Sequence, residues 1–272
     1  MRTFDTEGSV NGGNFANFIC AVLVDERVFC WGANGDGQSG VAASNVASLS
    51  QVVGLPTDQG KIVQIKVQST LLAPPFGGTC VLFESGQIYC WGLETIYTTL
   101  AEPRHVPRAQ KVFAGAAVSR LGGMANDVAV LLKDKTLVSV NAASPINGIK
   151  DVNAFSQDGR LLCYLSVDQK LRCMGIGTYG ILGDGVDSDQ VSAAREVTGI
   201  LGIVKGVSTN TRTTSRTLFA GNDPIPLPHV CAITIDDRVF CWGGDDYGQS
   251  TGSGILNNNK IFTAPKEIVF PK

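Results

Sequence analysis

Charge is scarce in this chain. Asp, Glu, Lys and Arg make up 17% of its 272 residues, below the usual quarter, and the formal net charge is −2. So even a balance offers no attraction to a polyanion, and no nucleic acid is expected as a partner. Long apolar runs are also missing. None approaches the ~18–20 residues that span a bilayer, so membrane insertion is not expected. Histidine occurs only at His105 and His229, neither with a nucleophile or ligand partner nearby in sequence. There is no Cys-x-x-Cys, no EF-hand spacing and no Asn-x-Ser/Thr acceptor. The opening MRTFDTEGSVNGGN lacks the apolar stretch of a signal peptide, so any export signal is expected to have been removed or to lie outside this chain.

Glycine and cysteine are what the chain does have, at 32 and eight residues. Many glycines among few charges point to tight turns and short strands rather than long helices. The cysteines expose a repeat. A Cys opens an apolar alternation, a polar turn follows, and a second alternation ends in Cys-Trp-Gly. The copies are CAVLVDERVFCWG (20–32), CVLFESGQIYCWG (80–92), CYLSVDQKLRCMG (163–175) and CAITIDDRVFCWG (231–243). A fifth, AVLLKDKTLVSVN (129–141), keeps the spacing, with Ala129 and Ser139 at the Cys positions and Val140 in place of Trp.

Apolar segments at 61–67, 110–118, 149–155 and 202–208 read as strands before the next hairpin. Gly-rich tails follow at 32–40, 175–183 and 243–252. Each unit thus supplies about four short antiparallel strands. One unit cannot bury both faces, but several arranged radially can. The expected fold is an all-β propeller of about five blades (five to seven), a single domain over 1–272. The first unit lacks a preceding strand, whereas 265–271 follows the last. Pairing of the N- and C-terminal strands is therefore expected to complete the first blade and close the ring.

A separation of ten centres each hairpin on a residue and puts both cysteines on one face. Directly opposite residues lie within disulfide reach. Four copies carry both cysteines, one carries neither, and none carries one alone, as a bond requires. The predicted bridges are Cys20–Cys30, Cys80–Cys90, Cys163–Cys173 and Cys231–Cys241. Buried reduced thiols and, more remotely, zinc remain the alternatives. Bridges point to an oxidising compartment: extracellular, lumenal or periplasmic.

The units at 20–40 and 231–252 resemble the repeat of the regulator of chromosome condensation family. The resemblance rests on the Trp-Gly pairs Trp31-Gly32, Trp91-Gly92 and Trp242-Gly243, and on the closing turns Gly37-Gln38-Ser39-Gly40 and Gly248-Gln249. The Cys-containing version is similar to the extracellular propellers of crinkly-type plant receptor kinases and to secreted bacterial repeat proteins. Nuclear members bind nucleosomes and promote nucleotide exchange on a small GTPase. No interaction loop matches theirs residue by residue, so an intracellular GTPase or chromatin regulator is the alternative reading.

Chemistry finds little support. Asp25-Glu26 and Asp236-Asp237 are hairpin-turn residues, and Asp245-Asp246 lies in a Gly-rich tail. GANGDG and GIGTYG look like phosphate loops but lack the following Lys-Ser/Thr and helix. The Trp-Gly residues are expected to pack blades. No catalytic residue, metal or cofactor is expected. Two extra segments are candidate partner-binding rim loops: 69–78 with Leu71, Leu72 and Phe76, and 208–229 with Arg212, Arg216, Leu218 and Phe219. The expected function is a non-enzymatic protein-binding or structural propeller of an extracellular or lumenal assembly.

Overall fold

The computed structural model describes residues 3–7, 10–11, 14–15, 18–69, 77–93, 105–112, 117–124, 128–140, 144–158, 161–188, 190–210, 227–246, 248–252 and 260–270. Two compact units emerge, Met1–Ile149 and Lys150–Lys272.

The first unit holds three four-stranded antiparallel sheets. In the first sheet, β1 (Thr3–Glu7) is separated from the rest by the small hairpin β2 (Val10–Asn11) and β3 (Asn14–Phe15). It pairs with β4 (Phe18–Val22), which continues into β5 (Val28–Asn34) and β6 (Ser44–Gln51). The second sheet runs β7 (Ile62–Ser69), β8 (Gly77–Phe83), β9 (Ile88–Leu93) and β10 (His105–Lys111). The third runs β11 (Val118–Met124), β12 (Val128–Leu132), β13 (Leu137–Ser139) and the two-residue β14 (Ser144–Pro145). The second unit holds a fourth sheet of β15 (Val152–Asp158), β16 (Leu161–Ser166), β17 (Leu171–Ile176) and β18 (Gln190–Glu196). Its fifth sheet is β19 (Val204–Asn210), β20 (His229–Thr234), β21 (Val239–Gly244) and β22 (Ile261–Ile268).

Each repeat therefore forms the central hairpin of a sheet. Two sequence expectations need correction. The C-terminal strand does not join the first sheet: β22 pairs with β21 from Gly244↔Ile261 to Val239↔Ile268 and completes its own sheet. The first sheet takes its missing strand from the polar N-terminal segment, as β1. Likewise 110–118 is not one strand. β10 ends the second sheet at Lys111 and β11 opens the third at Val118.

The turns follow one design. Leu23 N–H donates to the Arg27 carbonyl (2.9 Å) and Glu26 N–H to the Leu23 carbonyl (3.1 Å), so Val24–Asp25–Glu26 is a three-residue connection. Its third residue is left-handed in every copy: Glu26, Gly86, Lys135, Gln169 and Asp237 all have φ between 62° and 84°. This is a tight turn followed by a left-handed residue, which matches the twist of the flanking strands. The sheets bury their faces against one another within each unit. One apolar cluster lies between the first and second sheets, one between the second and third, and one between the fourth and fifth.

Candidate functional site

The repeat's signature residues sit where neighbouring sheets meet. Cys20–Cys30, Cys80–Cys90, Cys163–Cys173 and Cys231–Cys241 are directly opposed and disulfide-bonded, with Cα–Cα separations of 4.1–4.2 Å. The cysteines of the first three bridges belong to the apolar clusters. Cys80 and Cys90 pack among Val118, Val128 and Val130 of the third sheet. Cys20 Sγ lies 3.7 Å from Thr79 Oγ1 of the second.

Trp91 and Trp242 are fully buried, whereas Trp31 is half-buried. Trp91 Nε1 donates to the Gln38 carbonyl (2.9 Å) in the tail of the first sheet, and Trp242 Nε1 to the Ile181 carbonyl (2.8 Å) in the tail of the fourth. Each indole thus locks its sheet to the preceding tail. The following glycine has a matching reason. Gly32, Gly92, Gly175 and Gly243 have φ from 95° to 114°, where the outer strand shifts register. A Cβ on Gly92 would stand 2.5 Å from the Gly77 carbonyl oxygen, and one on Gly243 2.6 Å from that of Pro228. Only glycine satisfies both the backbone and the close approach.

The tail of the first sheet is built from buried polar groups. Ser39 N–H donates to Asn34 Oδ1 (3.0 Å), and Asp36 Oδ2 accepts from the Gly77 N–H of the second sheet (2.8 Å). Thr79 Oγ1 shares the Gln38 carbonyl with Trp91 (3.1 Å). In the fifth sheet Asp245 takes the place of Asn34, and its Oδ1 accepts from Ser250 N–H (2.9 Å). This reading of the Gln-Ser turn was out of reach of sequence spacing, although its recurrence at 38–39 and 249–250 was the available signal.

Ionisable groups at the turns form local pairs. Arg27 Nε lies 2.7 Å from Asp25 Oδ2 and holds that carboxyl below its ordinary range. Arg172 does the same for Asp168. Hydrogen bonding to the Thr234 side chain, and then to Arg238, lowers Asp236. Burial pushes His229 down, opposed by a hydrogen bond with the Leu227 backbone and by the charge of Asp158. Its Nδ1 is buried without a hydrogen-bond partner. His105 opens β10. A cleft of about 410 Å³ beside the first turn is lined by Asp25, Arg27, Val53, Leu55, Pro56 and Thr57. Among the described residues no group of three His, Cys, Asp or Glu is arranged to hold a metal ion, and no helix is long and apolar enough to cross a membrane.

The candidate rim residues Leu71, Leu72, Phe76, Arg212, Arg216, Leu218 and Phe219 lie outside the described residues. What the structure gives is the position of their segments. Both join an inner strand to the second strand of a sheet, from Ser69 to Gly77 and from Asn210 to β20. The fourth sheet makes the same connection between Asp158 and Leu161.

The model of the regulator of chromosome condensation (RCC1) repeat matches residues 16–38 and 229–249, the hairpins and turns whose geometry is set out above. Two of the five repeats thus match the regulator of chromosome condensation repeat. Solved structures agree on the fold of this chain. Human WBSCR16 is 17% identical with a TM-score of 0.68, over 93% of this chain and 65% of that one. A chain in the structure of Kap60 bound to yeast RCC1 (Prp20) is 15% identical with a TM-score of 0.64, over 92% and 61%. Prp20p from Saccharomyces cerevisiae, a protein described with binding properties to Gsp1p and histones, is 15% identical with a TM-score of 0.59, over 98% and 76%. The chain therefore has the β-propeller fold, with five four-stranded blades, and spans less than two thirds of the first two matched chains. Comparison with curated proteins by sequence gave no match.

Proposed function

We propose that this RCC1-repeat chain is a non-catalytic protein-binding propeller that works in an oxidising compartment, as part of an extracellular, lumenal or periplasmic assembly. The observation that carries this reading is the placement of the two long connections. The segments between Ser69 and Gly77 and between Asn210 and β20 leave their sheets at the same topological position, where the third and fourth sheets pass directly from Met124 to Val128 and from Asp158 to Leu161 by short connections. Loops held on a rigid frame are where binding residues concentrate. Four bridges, buried except at the half-buried Cys231, supply rigidity and favour a compartment that keeps them oxidised.

The test is a Leu218→Ser/Phe219→Ser variant and a Leu71→Ser/Leu72→Ser/Phe76→Ser variant, with binding to the native assembly read beside thermal unfolding. The expected outcome is weakened capture at an unchanged melting temperature. Undiminished capture in both variants removes the loops from the interface.

A second reading has one observation in its favour, the fold shared with Prp20p, which is described with binding properties to Gsp1p and histones. It makes the chain an intracellular regulator of a small GTPase or chromatin. Alkylation of the natively purified protein under denaturing, non-reducing conditions separates the two. No added label supports the oxidising compartment, and eight labels favour the intracellular regulator.

A further inference from the structure

The four bridges are not equally shielded. The cysteines of the first, second and fourth sheets are fully buried and lie in apolar clusters shared with a neighbouring sheet. The fifth sheet differs. Cys241 is 3% exposed, Cys231 is half-buried, and neither belongs to a cluster. Strand alternation is the cause. Val230, Ala232 and Trp242 pack against the fourth sheet, so Cys231 and Cys241, each one residue away, point to the opposite side. Among the described residues of the second unit, no further sheet covers that side.

The row that crosses this side is open at both ends. Ser208↔Cys231, Cys231↔Cys241 and Cys241↔Lys266 are direct register partners. Direct partners share a face, with Cβ atoms about 4.5–5.5 Å apart. Ser208 and Lys266 are both exposed. A short hydroxymethyl group and a flexible lysine therefore flank the bridge and leave it accessible to a thiol from solvent. Lys266 also brings a positive charge. Its Nζ lies 5.5 Å from the centroid of the Phe262 ring, and among the described residues no carboxylate pairs with it.

Cations stand opposite bridged cysteines elsewhere, without these conditions. Arg195, opposite Cys173, is held 2.7 Å from Asp184. Lys66 is opposite Cys80, which is closed inside the cluster between the second and third sheets. The fifth sheet combines an accessible sulfur with an ammonium group beside the other one. Access decides which sulfur a thiolate attacks, and a nearby cation makes the departing thiolate a better leaving group.

We propose that Cys231–Cys241 is a thiol–disulfide exchange site, opened by a dithiol reductant while the other three bridges stay closed. A thiolate of the dithiol attacks Cys231 Sγ, the more exposed sulfur. The bond between the two cysteines breaks, and its electron pair leaves on Cys241 Sγ, beside the Lys266 ammonium. The second thiol of the reductant, as thiolate, then attacks its own sulfur in the mixed disulfide and releases Cys231. Two electrons have passed from the dithiol to the bridge. The reductant ends as its internal disulfide, and its two protons end on Cys231 and Cys241. The bridge spans β20 and β21, and β20 is where the long connection from Asn210 ends, so the exchange acts on the frame that carries that loop. It requires the formed bridges and does not depend on partner binding by the loops.

The air-oxidised intact chain is treated with dithiothreitol at a fixed neutral pH, quenched with an alkylating reagent at intervals and mapped by peptide mass, with circular dichroism recorded in parallel. Cys231 and Cys241 are expected to label at least about tenfold faster than any other cysteine, with the spectrum unchanged. With glutathione in place of dithiothreitol, the mixed disulfide is expected on Cys231. Lys266→Gln is expected to slow the labelling about threefold at low salt, an effect that high salt erases. Lys266→Arg preserves the rate, and Lys66→Gln leaves it unchanged. A different bridge opening first overturns the proposal, as do four bridges that open together with loss of the spectrum. Glutathione found on Cys241, or a rate indifferent to Lys266→Gln, overturns the assignment of Cys241 as the leaving group.

Discussion

The second and third sheets of the first unit share an apolar cluster yet are built to different standards. In the second, Cys80 and Cys90 face each other and are bonded, and Trp91 is anchored on the Gln38 carbonyl. In the third, Ala129 and Ser139 occupy the same opposed positions, with Val140 where Trp would stand. The strands shrink with the signature. β13 has three residues and β14 two, against six and seven for β9 and β10. The fourth sheet keeps the cysteines and the glycine with Met174 in place of Trp, and its β17 and β18 still have six and seven residues, so full strands go with the bridge and the glycine rather than with the indole. The bridge fixes the hairpin's register, the indole reaches the preceding tail, and the left-handed glycine turns the chain out to a full outer strand.

Converting the second sheet toward the third puts the largest strain on this comparison. Trp91→Val removes a fully buried side chain and leaves the buried Gln38 carbonyl with one donor fewer. The expected loss is about 3–5 kcal/mol, by analogy with large aromatic deletions in cores. Trp31→Val, at a half-buried position, is expected to cost well under half of that. Denaturant unfolding measures both. Equal losses at the two sites break the argument that the tail anchor, rather than the residue type, sets the cost.

What the sequence could and could not show follows from range. Period-two alternation and the separation of ten were local, so the five central hairpins and the opposed cysteines were legible from residues such as Cys231 and Cys241. Strand β1 was not legible. Its segment TFDTE is polar, and what recruits it is pairing with β4, not its own pattern. The segment 265–271 misled for the converse reason. Its apolar residues signalled a strand correctly, but the choice of partner depends on β21 lying next to it. The packing role of Trp91 and Trp242 could be expected from the repeat. Their acceptors, the Gln38 and Ile181 carbonyls, could not, since backbone carbonyls leave no trace in residue identity.

Restoring a bridge to the third sheet sharpens the comparison from the other side. Ala129 and Ser139 are buried and directly opposed, in the register that the bonded cysteines occupy elsewhere. Ala129→Cys/Ser139→Cys is expected to oxidise spontaneously and to stabilise by up to ~2–3 kcal/mol, the scale for so short a closed loop. Removing the neighbouring bridge in Cys80→Ala/Cys90→Ala is expected to cost a similar amount, with the cavity left by the sulfurs added. Thiol counting after unfolding, together with melting temperatures, decides the matter. Two free thiols in the double-Cys variant would mean that the third hairpin lacks the register of the other four.

The smallest difference lies in the turns. The second hairpin places Gly86 at its left-handed position with φ 84°, where the third places Lys135 with φ 67°. An L-residue there costs roughly 1–2 kcal/mol, part of which glycine gives back through the larger freedom of the unfolded chain. Lys135→Gly is therefore expected to stabilise by about 0.5–1 kcal/mol, less whatever the lysine side chain contributes through its own contact. The effect should be larger in the background of a bridged third hairpin if the turn and the bridge fix the same register. A double-mutant cycle of Lys135→Gly with Ala129→Cys/Ser139→Cys measures that coupling. Strict additivity would show instead that each hairpin's register is already set by its strands, leaving the bridges to restrain the unfolded chain alone.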